Sequence, residues 1–174
     1  GKVYLLCTDG VAEFDLTTQR FKTLLQGNVD AIYFNEKLYI GKREEVFVYN
    51  ESTGNFDLYY HLAGKDITLS CLHLDEKKNL WMGTTSNGLY CLSGDKKISQ
   101  PVTRGNIASI YEDSSKELWI CTWEEGLYRI KTDSTIENFR HDPKNPNSIC
   151  ADFVRSCCED NAGNLWIRSE ERRV

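Results

Sequence analysis

No apolar run in this 174-residue chain approaches the ~18 residues that a membrane-spanning helix requires, so no membrane segment is expected. A charged leader is missing too: Gly1-Lys2-Val3-Tyr4 already reads as a strand, and no signal peptide is expected in this stretch. Basic residues are in deficit, with 21 Lys and Arg against 26 Asp and Glu and a net charge of -5. They gather on no single predicted face, which excludes nucleic acid as an expected partner. Histidine is scarce, and His61, His73 and His141 stand far apart. No Ser or Cys sits in a nucleophile-elbow context, no Cys-x-x-Cys pair exists, and no Cys is spaced near a His as zinc requires. Phosphate-loop and dinucleotide fingerprints are absent as well, so neither a cofactor, a metal nor catalysis is expected. No linker rich in Gly and Ser interrupts the chain, which points to one domain spanning residues 1–174.

What the chain does contain is alternation. From Asn106 to His141 four short strands follow one another: Ile107 to Glu112, Leu118-Trp119-Ile120, Gly126 to Ile130 and Ile136 to Phe139, joined by Asp, Ser, Lys and Gly turns. Trp119 points one way while Leu118 and Ile120 point the other, so this antiparallel meander is apolar on both faces and needs sheets stacked on both sides. The pattern recurs in Lys37-Leu38-Tyr39-Ile40-Gly41, Asn79-Leu80-Trp81-Met82-Gly83 and Asn164-Leu165-Trp166-Ile167, with a fainter copy at Lys2-Val3-Tyr4-Leu5-Leu6. The aromatic markers at 4, 39, 81, 119 and 166 are 35, 42, 38 and 47 residues apart, near the ~40–45 of one propeller blade. The expected fold is therefore all-β, an incomplete β-propeller of four-stranded antiparallel blades with about four to five blades present. Blades are expected over residues 2–25 (partial), 29–61, 67–102, 106–141 and 153–174 (partial). An Asp stands six residues before each Trp marker, at Asp75, Asp113 and Asp160. Such an Asp starts a turn by bonding its own backbone two residues on.

Blade topology locates candidate ligand contacts. If each inner strand starts at the upper face, the loops joining second to third strands and those joining blades share that face. Those loops hold Thr85-Ser86-Asn87, Thr122-Trp123-Glu124-Glu125 and the Pro-containing connection Asp142 to Asp152. Trp123 stands where sister repeats carry Thr85 or Arg43, so it is not the blade-core Trp. It suits stacking on the apolar face of a sugar, or else is wedged between the fourth blade and the 142–152 loop. Glu124, Glu125, Asn87, His141 and Asn145 complete the candidate set. Glu124 and Glu125 are neighbours in one turn, whereas paired-carboxylate hydrolysis draws carboxyls about 5–10 Å apart from separate strands.

The run Phe139-Arg140-His141-Asp142-Pro143-Lys144-Asn145-Pro146-Asn147-Ser148-Ile149, with Asp152 to Ser156 and Glu159-Asp160-Asn161-Ala162-Gly163-Asn164-Leu165-Trp166-Ile167, resembles the two-component regulator propeller repeat. Asn79 to Leu89 and Glu112 to Leu127 resemble it too. The resemblance implies a non-catalytic, glycan-responsive propeller from the periplasmic sensor region of a Bacteroidetes hybrid two-component system, with an oligosaccharide as ligand. A protein-interaction scaffold without a small-molecule ligand is the alternative. The chain departs from the repeat at Ile120-Cys121-Thr122 and Ile167-Arg168-Ser169, and Ser169 to Val174 replaces an expected Gly-Leu-Tyr strand.

Seven cysteines are read as mostly small buried residues rather than disulfides, because Cys157 matches Leu72 and Ile110, and Cys121 matches Gly83, in sister repeats. Adjacent Cys157 and Cys158 face opposite sides of a strand and cannot bridge. Partial first and last blades leave apolar faces bare, so self-association as a two-fold homodimer is expected, the alternative being closure into a small ring in which Phe153 to Glu159 pairs onto Lys2 to Thr8.

Overall fold

The computed structural model describes residues 1–64, 66–95, 97–99 and 102–170, and all the regular structure among them is β-strand. The predicted third blade includes 96, 100 and 101, and the predicted replacement of the last strand includes 171–174, which lie outside the described residues. Packing divides the chain into two compact units, Gly1–Leu72 and His73–Val174.

In the first unit, β1 (Lys2–Cys7), β2 (Gly10–Asp15) and β3 (Arg20–Gln26) form an antiparallel sheet in chain order. The next four strands, β4 (Ala31–Asn35), β5 (Lys37–Lys42), β6 (Glu45–Asn50) and β7 (Asn55–His61), form a complete meander. Val11 of β2 packs with Leu38 and Ile40 of β5 in a shared core edged by Tyr4, Phe47, Tyr49 and Phe56. Tyr and Phe stand here where later repeats use Trp.

A third meander consists of β8 (Leu69–Leu74), β9 (Leu80–Thr84), β10 (Leu89–Leu92) and the two-residue β11 (Ile98–Ser99); the unit boundary falls within β8. The second unit continues with β12 (Ile107–Glu112), β13 (Leu118–Thr122), β14 (Leu127–Ile130) and β15 (Ile136–Phe139), then the pair β16 (Val154–Glu159) and β17 (Leu165–Ser169). Every residue of β9 is buried, as expected for a strand with sheets on both faces.

Three local devices recur because the repeats share residues at fixed offsets. The first is the Asp-led turn. Asp75, Asp113 and Asp160 each accept a backbone N–H from the residue four positions on and the indole N–H of the Trp six positions on, at 2.8 Å in all three. The expected bond two residues on occurs only from Ala162 to Asp160. Side-chain folding across the turn, rather than the tight local turn alone, therefore sets the six-residue spacing. The indole and the Asn164 backbone N–H, with the Asn164 amide, hold the Asp160 carboxyl far below the usual carboxylate range.

The second device closes the turn from second to third strand. Thr84 and Thr122, both fully buried, donate through Oγ1 to the carbonyls of Gly88 and Gly126 (2.8 and 2.7 Å) and accept the N–H of Asn87 and Glu125 at 2.9 Å. Gly88 and Gly126 sit at φ 77° and 78°, and a Cβ would lie 1.7 Å from the Thr103 carbonyl oxygen or 2.2 Å from that of Phe139. Both turns thus demand glycine for conformation and for space. Replacing Thr122 by the isosteric Val is expected to cost about 1–3 kcal/mol, because the half-buried Glu125 amide loses its acceptor and the Gly126 carbonyl keeps only the Thr122 N–H at 3.2 Å. Urea unfolding with an unchanged m-value checks this, and a loss indistinguishable from zero would refute it.

The third device links neighbouring sheets. Glu159 at the end of β16 accepts the backbone N–H and the hydroxyl of Ser114, both at 2.7 Å. Glu112 at the end of β12 accepts the Glu76 N–H in the same manner, at a longer 3.4 Å.

Candidate functional site

The turn Thr122–Gly126 and the loop entering β16 meet at an open cleft of about 640 Å³, lined by Trp123, Glu124, Ala151, Asp152, Phe153, Arg155 and Glu170. Backbone bonds fix it: Trp123 N–H donates to the Asn106 carbonyl (3.2 Å), Gly126 N–H to that of Asp152 (2.9 Å) and Glu170 N–H to that of Phe153 (3.0 Å). Trp123 and Phe153 meet edge to face, with centroids 4.8 Å apart and planes at 88°. Trp123 keeps 40 % of its surface exposed, so one flank of the indole remains open to the cleft.

Arg155 carries the positive charge of the site. Its guanidinium lies 5.7 Å from both ring centroids, and its Nε pairs with Glu170 Oε1 at 2.8 Å. The side chain emerges at a β-bulge, where the β16–β17 register slips between Val154 and Ser156. Such a bulge turns a side chain away from strict alternation. The matching bulge in β12 falls at Ala108, so a charged residue replaces a small apolar one at the same irregularity.

Behind the cleft, Arg140 holds the loop to the turn. Its guanidinium donates to Asp152 Oδ2 through Nη2 (2.7 Å) and Nε (3.2 Å), and to the Glu124 carbonyl (3.0 Å). Burial opposes ionisation of Asp152, but Arg140 and the His141 N–H (2.7 Å) outweigh it and hold this carboxyl below its ordinary range. The carboxylate is consequently anionic at neutral pH and committed to bracing the loop.

Of the sequence-derived candidates, Trp123 and Glu124 come together here. Glu125 turns away: its carboxylate accepts hydroxyl bonds from Thr103 and from Tyr128 (2.9 Å), and burial, then this contact, raises the Tyr128 pKa. His141 is exposed on the loop, with Nδ1 2.9 Å from the Ile149 carbonyl. Asn145 shapes a turn inside that loop, its Oδ1 accepting the Asn147 N–H at 3.0 Å. Asn87 occupies the equivalent turn of the preceding sheet. None of these four lines the cleft. Phe153, Arg155 and Glu170 were not singled out from the sequence; for Arg155 the available signal was its charge at the position of Ala108. Among the described residues no group of three or more His, Cys, Asp or Glu side chains could hold a metal ion.

Residues 102–124 match the two component regulator propeller family, a segment that runs through β12 and β13 and ends at Glu124. A search of curated proteins finds no match. Among solved structures, the chain is similar to an extracellular domain described as part of a hybrid two component system of B. thetaiotaomicron, with a TM-score of 0.80 at 20 % identity, covering 97 % of this chain and 25 % of that one. A second such domain from the same organism gives a TM-score of 0.77 at 22 % identity over 97 % of this chain and 24 % of that one. Virginiamycin B lyase from Staphylococcus aureus is similar at a TM-score of 0.74 and 14 % identity, over 97 % of this chain and 60 % of the lyase. The chain spans about a quarter of the length of the extracellular domains it resembles. The fold is a β-propeller, present here as a set of consecutive blades that is all-β and short of a full ring's number.

Proposed function

We propose that this chain is a non-catalytic segment of the extracytoplasmic sensor propeller of a hybrid two-component system, and that the Trp123 cleft takes an oligosaccharide. The observation that carries the reading is the half-exposed Trp123 flank beside Arg155, Glu170 and Glu124. An indole face stacks on the C–H face of a pyranose, while a guanidinium and carboxylates at the rim exchange hydrogen bonds with its hydroxyls. The family match at 102–124 and the similarity in fold to extracellular domains described as parts of hybrid two component systems support the same assignment.

A thermal-shift series against plant and host oligosaccharides tests it. Saturable stabilisation following RT ln(1 + [L]/Kd) is expected for the wild type. Trp123→Ala is expected to abolish that response while lowering stability by no more than about 1.5 kcal/mol, the scale of an exposed edge-to-face pair. No saturable shift at millimolar oligosaccharide overturns the glycan assignment and favours a protein-binding scaffold. A stability loss in Trp123→Ala equal to that of a core Trp would remove Trp123 from the site.

A further inference from the structure

All seven cysteines are free thiols. Cys91, Cys121 and Cys157 are buried and Cys71 is half-buried, whereas Cys7, Cys150 and Cys158 are exposed. Two of the buried thiols belong to different sheets: Cys121 on β13 and Cys157 on β16 approach to 3.6 Å, sulphur to sulphur. They share one core cluster with Leu127 and Val154, Cys121 at 0 % exposure and Cys157 at 9 %. The separation is a thiol–thiol contact. A disulfide bond is about 2.05 Å long, so closure needs about 1.5 Å of sulphur movement.

The surroundings prepare the pair for oxidation. Ser109 lies directly across the β12–β13 ladder from Cys121. Its hydroxyl is buried, with no nitrogen or oxygen partner among the described residues. The hydrogen bond from Cys157, against the opposing effect of burial and with a smaller contribution from Ser109, lowers the Cys121 pKa; the same contact, then burial, pushes the Cys157 thiol far up. Cys91, also buried, is instead pushed up to about 11, chiefly by burial. Of the two, Cys121 is thus the sulphur whose ionisation the pairing favours, and Cys157 the one whose ionisation it opposes.

We propose that Cys121 and Cys157 form an oxidisable dithiol site, which hydrogen peroxide converts into a disulfide tying the β12–β15 sheet to the β16–β17 sheet. The Cys121 thiolate attacks one peroxide oxygen, the O–O bond breaks, and the leaving hydroxide takes a proton to become water. Cys121 is then a sulfenic acid. The Cys157 sulphur displaces its hydroxyl, the S–S bond forms, and the hydroxide leaves as a second water with the Cys157 proton. Two thiols are oxidised by two electrons and one peroxide is reduced to two waters. Because Cys121 is covered, the reaction runs through local opening of the β16–β17 pair and is slow compared with oxidation of an exposed thiol. Once made, the bond closes a loop of chain that no backbone hydrogen-bond ladder closes, which raises resistance to unfolding.

The test blocks exposed thiols with iodoacetamide in the native protein, adds hydrogen peroxide, and reads a peptide map and Tm. The expected map shows residues 121 and 157 cross-linked with the loss of two hydrogens, and Tm rises by about 5 °C or more. Dithiothreitol reverses both changes, and Cys157→Ser, which keeps the packing volume, shows neither. Recovery of Cys121 and Cys157 as thiols, as sulfinic acids or bridged to other cysteines overturns the proposal. A 121–157 bridge that leaves Tm unchanged overturns the tie between sheets. Should Cys157→Ser fail to fold, the wild-type map and its reversal decide the matter alone.

Discussion

Replacing Trp81 by Ala is expected to lower the unfolding free energy by about 3–5 kcal/mol, the cost of deleting a buried aromatic and leaving a cavity. Trp81 is 8 % exposed, within a strand whose residues are all buried. The deletion also takes a donor from Asp75, itself 7 % exposed, so a buried carboxylate loses one of its contacts. Trp166→Ala supplies the control. Its indole makes the same 2.8 Å bond to Asp160, yet the residue is 64 % exposed. About 1 kcal/mol is therefore expected there, from the hydrogen bond with little burial. Urea unfolding of both variants separates the two contributions. Equal losses would mean that the Asp–Trp bond, and not burial of the ring, supports these sheets.

Gly88→Ala is expected to destabilise by more than about 3 kcal/mol, beyond what left-handed backbone strain alone costs. At φ 77° the new methyl would stand 1.7 Å from the Thr103 carbonyl oxygen, which accepts the Leu89 N–H at 3.3 Å. Relief requires moving Thr103, whose hydroxyl bonds Glu125 in the turn that carries Trp123. Ligand response should therefore decline along with stability. Gly54→Ala is the comparison: φ is 71° but nothing lies within 4 Å of the added methyl. Its loss should stay near the ~1–2 kcal/mol of strain. If the two alanines cost the same, the close approach at Gly88 is relaxed by the surrounding loop and the steric argument fails.

The fold class was legible because it is written in short-range patterns. Strand alternation, Asp six residues before Trp, and Gly at the turns all fall within a window of a dozen residues, and each reappears in the structure as a strand or a closed turn. Burial was less legible, since it is conferred by neighbouring sheets. Trp166 repeats the local pattern of Trp81 and keeps its hydrogen bond, yet no sheet among the described residues covers its ring. Cys7 likewise sits on β1, a strand with no fully buried residue despite its apolar sequence. In the cleft, Trp123 could be found because it departs from sister repeats at an identifiable turn, and Glu124 because it follows in the same turn. Phe153, Arg155 and Glu170 could not be found the same way. Arg155 reaches the cleft through a register slip that a strict two-residue period hides, and Glu170 arrives from the far end of β17 by long-range pairing.

Glu112 and Glu159 bear on how such chains change over time. Each ends an inner strand and grips the backbone amide in the turn of the sheet before it, at Glu76 and at Ser114. An amide is present whatever the side chain, and the two turns differ freely, Glu76-Lys77-Lys78 in one and Ser114-Ser115-Lys116 in the other. The backbone part of this grip makes no demand on the identity of the turn residues, although at Ser114 the hydroxyl adds a second bond to Glu159 at 2.7 Å. Copies can accordingly be duplicated, exchanged or shuffled in order while the carboxylate still finds a backbone donor, and a substitution at Ser114 removes one of the two bonds to Glu159 rather than both.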